Sequence, residues 1–255
     1  MHACFIIARL TFKQIQHAGL FSALFICALL AISLSEFAAT ITITEQQSTQ
    51  LGLLAVVLRL TGLLISAMLV ININHNELNS GHTQLLLSTQ INRSQLYFGK
   101  LLSTLLLSLT VALFSSLILL FYSQNSVLFY WGCSFFLELL LVNSMALWLA
   151  FGLRSSVLAS LALLLFYLFA RLADNLVQIA QGPFFNPHSW LDQMALLFLT
   201  ALSWLLPSLN NFALSQWLIQ TPVSLDHFYY SALEAFLYLL LLISATLIDL
   251  HRRVF

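Results

Sequence analysis

Residues 77–100 read Glu-Leu-Asn-Ser-Gly-His-Thr-Gln-Leu-Leu-Leu-Ser-Thr-Gln-Ile-Asn-Arg-Ser-Gln-Leu-Tyr-Phe-Gly-Lys, a polar interruption between two long apolar runs. Glu77 is followed by Gly81, then by Leu85, Leu86 and Leu87, and the stretch closes on Arg93 and a Gly99-Lys100 pair that enters the next apolar run. Residues 80–89 are expected to form a short helix capped by Asn79 or Ser80, whose side-chain oxygens accept from the free N–H groups of a first turn. Such a helix presents Leu85, Leu86, Leu87 and later Ile91 as an apolar patch between charged ends, a form suited to docking another protein. The same patch could instead pack against the N-terminal helix or lie among lipid headgroups.

The surroundings decide what kind of protein this loop belongs to. The chain has 255 residues, 60% hydrophobic and 7% charged, with a mean hydropathy of +0.94, whereas a soluble domain carries about 25% charged residues. It is expected to be an all-α integral membrane protein. The net charge of zero gives no reason to expect nucleic acid as a partner. Cys4, Cys27 and Cys133 are far apart and have no C-x-x-C spacing, so neither a disulfide framework nor a zinc site is expected. His75 and His82 flank Glu77, but hydrated loop histidines account for them and no metal site is expected.

Six apolar runs are each long enough to cross ~30 Å of hydrocarbon: 19–37, 51–71, 101–122, 127–153, 156–173 and 228–250. Ahead of them, Phe5, Ala8, Phe12 and Ile15 recur at helical spacing while Arg9, Lys13, Gln16 and His17 fall elsewhere, so residues 1–18 are expected to form an interfacial amphipathic helix. Residues 174–227 hold all four prolines and the run Leu191–Leu206, whose about sixteen residues are short for a crossing and fit a re-entrant or interfacial segment. Six spans with both termini cytoplasmic place Arg9, Lys13, Arg93, Lys100, Arg154, Arg252 and Arg253 inside and only Arg171 outside, as the positive-inside rule prefers. Residues 74–100 then form a cytoplasmic loop and 174–227 an outer region of a single transmembrane domain.

Three charges fall inside the spans at similar depth: Arg59, Glu138 and Glu234. An unpaired charge there costs at least ~2.5–3.5 kcal/mol, so Arg59 is expected to pair with one or both glutamates, as a helix clamp or as the lining of a polar path. The ridge Thr104, Ser108, Ala112 and Ser116 is read as a close helix-packing face. Catalysis by the chain is not expected. Around Gly99-Lys100, Ser94 stands where a phosphate-binding loop needs glycine and Leu101 where it needs Ser or Thr, so both the amide cradle and the magnesium ligand are missing. No G-x-S-x-G elbow occurs either.

With its N-terminal elbow helix, six spans, polar loop between spans two and three and outer hairpin before the last span, the chain resembles the permease subunits of type 2 ABC exporters along nearly its whole length. Glu77, Gly81, Arg93, Gly99 and Lys100 match the pattern of that family's coupling loop, and 206–212 (Leu-Pro-Ser-Leu-Asn-Asn-Phe) is similar to its outer proline-containing stretch. Gln90 departs from it, since a proline is common there. The resemblance implies a bacterial inner-membrane permease that pairs with a second copy, as a homodimer, and binds a cytoplasmic ATPase through Glu77, Gly81, Leu85, Leu86, Leu87, Arg93 and Lys100. It implies no cofactor in this chain, ATP and magnesium being held by the partner. Two other classes remain open: a membrane scaffold without transport, and an ion-coupled carrier using Glu138 and Glu234.

Overall fold

The structure is a computed structural model and describes residues 2–42, 46–80, 92–123, 127–181, 190–219 and 225–252. Among these the chain is helical, with no strand. In order come α1 (His2–His17), α2 (Leu20–Ile41), α3 (Gln46–Asn79), α4 (Arg93–Leu120), α5 (Val127–Gly152), α6 (Ser156–Ala180), α7 (Trp190–Leu205), a 3-10 turn (Leu209–Asn211), α8 (Gln216–Ile219) and α9 (Leu225–Arg252). Six of them, α2 to α6 and the Phe228–Leu250 part of α9, are long and apolar enough to cross a membrane.

α1 and α2 are separated by Gly19, whose φ of 89° lies in the left-handed region that costs glycine no Cβ clash. This bend turns α1 back against the start of α4. The face of α1 that is buried carries Ile7, Ala8, Thr11 and Ile15, while Phe5, Ile6 and Leu10 are exposed. The expected apolar face of Phe5, Ala8, Phe12 and Ile15 is thus split. One side meets protein, and the other is an outward apolar surface.

α5 lies at the centre. Within its most apolar window 72% of residues are buried, against 22% for α9 and 28% for α2 and α6, which makes those three the outer wall. α5 is apolar all round, the pattern of a helix surrounded by others, and α3, α4, α6 and α9 all pack on it. α2 packs on α3, and α7 lies along α6. In α4, Thr104, Ser108 and Ala112 are buried, and Ser108 Oγ accepts a hydrogen bond from Asn143 Nδ2 of α5 at 2.9 Å, so the small-residue ridge is a packing face.

α3 extends beyond its expected end at residue 71. It runs unbroken to Asn79, so Glu77 and Asn79 sit on its last turns. Likewise Arg93 to Lys100 form the first turns of α4, capped by Asn92 in a reciprocal arrangement with Gln95. Of the expected helix over 80–89, only Ser80 is described, its N–H donating to the Asn76 carbonyl at 2.9 Å; Gly81, Leu85, Leu86 and Leu87 lie outside the described residues.

Candidate functional site

Two polar centres occupy opposite ends of the bundle. The first is built around Glu138, fully buried on α5. Arg59 of α3 meets it through two parallel bonds, Nε to Oε2 at 2.7 Å and Nη2 to Oε1 at 2.9 Å, the fork geometry that suits guanidinium to carboxylate. From α6, one turn apart on one face, Tyr167 Oη donates to Glu138 Oε1 at 3.3 Å and Arg171 Nη1 lies 3.3 Å from the same oxygen. One buried carboxylate thus joins three helices, and its pairing offsets the cost of carrying charge into an apolar interior.

The two arginines also hold backbone. After α7 the chain turns inward, burying Leu209, Phe212 and Ala213. Arg171 Nη1 donates to the carbonyl of Leu209 at 2.8 Å, and Arg59 Nη1 to that of Ala213 at 2.9 Å. The N–H of Ala213 donates to Ser134 Oγ of α5 at 2.9 Å. Held from both sides, Ala213 adopts φ 44°, a left-handed conformation costing an L-residue roughly 1–2 kcal/mol. Irregular backbone is tolerated among apolar helices only where such partners satisfy it.

Glu234 does not join Arg59. Its two oxygens accept from the N–H and the Oγ–H of Ser208, each at 2.6 Å. Of the two glutamates offered as partners for Arg59, Glu138 is the one it meets, and Glu234 instead fastens the same inward segment, 206–213, from α9. Arg171, Tyr167, Ser134 and Ser208 were not expected here. The signal for the first two was their spacing on α6, which puts both on one face.

The second centre gathers the expected loop residues that are described. Lys100 Nζ lies 2.7 Å from Glu77 Oε2 and donates to Asn74 Oδ1 at 2.6 Å. Arg93 Nη1 donates to the carbonyl of Leu250 near the end of α9 at 3.1 Å, and at the preceding residue Trp148 Nε1 of α5 donates to Asp249 Oδ2 at 2.9 Å. Glu77 also borders a shallow cavity of ≈ 300 Å³ with Gln14, Ile73, Asn76 and Ser80, between α1 and the end of α3. Among the described residues no group of His, Cys, Asp and Glu could hold a metal ion.

No protein-family model matches the chain, and no curated protein matches it. The functional reading therefore rests on the two centres themselves.

Proposed function

We propose that the chain is the permease subunit of an ATP-driven export system of the type 2 ABC class, working as a homodimer in the bacterial inner membrane with a separate cytoplasmic ATPase. The observation that carries this reading is the length of α3. Its 34 residues span ~51 Å at ~1.5 Å per residue, against ~30 Å of hydrocarbon. The helix continues through the Asn-rich residues that follow the apolar stretch and ends only at Asn79, so α3 reaches past the length a crossing needs, as docking on a soluble partner requires. On the positive-inside count that end is cytoplasmic. The opposite centre supports a permease as well, because it holds irregular backbone inside the outer half of the bundle, a feature confined in membrane proteins to protein-buried or cavity-lining places.

The ion-coupled carrier receives less support. Both oxygens of Glu138 and both of Glu234 are engaged by protein donors, so a cargo ion would have to share or displace bonds that hold the fold.

Purification of the tagged chain in mild detergent tests the proposal. A stoichiometric nucleotide-binding subunit is the expected companion, and its absence favours a scaffold. Leu86→Asp and Leu87→Asp are each expected to abolish that association with membrane insertion intact, since an unpaired carboxylate is excluded from an apolar docking cleft. Undiminished association in both variants would remove the loop from the interface.

A further inference from the structure

Lys100 is buried within the bundle. Its side chain is 1% exposed and that of Glu77 13%, and its ammonium stands 5.2 Å from the centroid of the Phe151 ring of α5. An ammonium closed off from water must take its partners from protein, and these come from helices other than its own. Glu77 and Asn74 belong to α3, one turn apart on one face, and the aromatic face belongs to α5. α4 therefore cannot rotate or slide at this end without drawing a buried cation from its carboxylate, a separation that is strongly unfavourable.

Further ties converge on the same few turns. A Cβ added to Gly99 would lie 2.9 Å from Ile7 Cβ and 3.0 Å from the Cys4 carbonyl, so the residue beside Lys100 is where α1 seats on α4. Arg93, at the exit of the loop, reaches α9.

We propose that the Lys100–Glu77–Asn74 cluster is an internal latch that closes the base of the 81–91 loop, so that the ends of α3 and α4 move as one body. Lys100 is a positioning residue: it acts through Glu77 and Asn74 and contacts no partner. A displacement applied at the end of α3 or the start of α4 is then passed to both helices together, and through Arg93 to a third. The use of the latch to transmit ATPase movement rests on the permease reading, whereas the latch itself does not.

The test is a distance measurement. Spin labels are attached through Asn79→Cys on α3 and Phe98→Cys on α4, both exposed positions, in the full chain with Cys4, Cys27 and Cys133 replaced by Ala, in lipid nanodiscs without ATPase. Pulsed electron paramagnetic resonance is expected to give one narrow distance distribution. Lys100→Met and Glu77→Gln are each expected to broaden it about twofold or to add a second peak, as a freed equilibrium between two arrangements would. Trp148→Phe removes a bond at the same end that does not bridge α3 and α4. It is expected to lower the melting temperature and leave the distribution narrow. If Lys100→Met does not yield folded protein, Glu77→Gln, which keeps shape and an acceptor, decides alone. A distribution that stays narrow in Glu77→Gln overturns the latch, and so does equal broadening in Trp148→Phe. Failure to recover an ATPase with the native chain would overturn the permease reading and leave this result standing.

Discussion

Replacing Arg59 with Leu removes three hydrogen bonds, two to Glu138 and one to the Ala213 carbonyl. Glu138 is not stranded, because Arg171 and Tyr167 remain beside it. The destabilisation is therefore expected near the lower end of the ~3–5 kcal/mol typical of breaking a buried pair. Glu138→Leu is expected to cost more, since it leaves two guanidinium groups with no carboxylate between them. Arg59→Leu with Glu138→Leu should recover only part of the loss, and adding Arg171→Leu should recover more, because no uncompensated charge is then left in the cluster. Thermal unfolding in detergent gives the order; an Arg59→Leu variant as stable as the native chain would mean that no clamp exists. Depth along the spans offers Glu138 and Glu234 alike as partners for Arg59. It does not choose between them, because depth carries no information about which way a side chain points around its helix. Arg171 was hidden for a different reason: counted as an outer loop charge, it in fact turns inward from α6 to the carbonyl of Leu209.

Element boundaries were legible where composition changed sharply and misread where tertiary contacts override local preference. Asparagine is a poor helix interior residue, so the Asn-rich residues 72–76 predict that the span starting at 51 ends at 71. In the fold, Asn74 Nδ2 donates to the Val70 carbonyl one turn back at 2.7 Å, and its Oδ1 accepts from Lys100, which fits it into a continuous α3. The amphipathic reading of α1 identified the helix but chose a face by its contrast with the charges, and a helix lying between protein and lipid has two apolar faces. The seat of α1 offers a direct check. Gly99→Ala forces a methyl group against Ile7 and the Cys4 carbonyl, and overpacking of this kind costs about 1–3 kcal/mol. Backbone amides of residues 2–17 are expected to exchange faster with deuterium in that variant, with those of α5 unchanged. Unaltered exchange in α1 would mean that it is not held through Gly99.

For the whole molecule, the decisive property is how often the membrane is crossed. Among the described residues six helices are long and apolar enough, and α7 contributes only the shorter apolar stretch Leu196–Leu205. Asn211→Cys, at an exposed position, is expected to react with an impermeant maleimide on intact cells, and Arg154→Cys only after permeabilisation. Reaction of Arg154→Cys from outside, or protection of Asn211→Cys until permeabilisation, would require a different number of crossings. The inward segment after α7 also bears on how the protein is made. Arg59 and the carbonyl it binds at Ala213 are 154 positions apart, and Arg59 and Glu138 are 79 apart. A ribosome adding about 5–20 residues each second therefore leaves α3 waiting several seconds for its carboxylate, and about as long again for its carbonyl. During that interval a cation sits in a span with nothing from its own chain to pair with. The early helices must be sheltered by the insertion machinery or by one another until α5 arrives, and a chain cut short before residue 138 would carry a charge that the bilayer rejects.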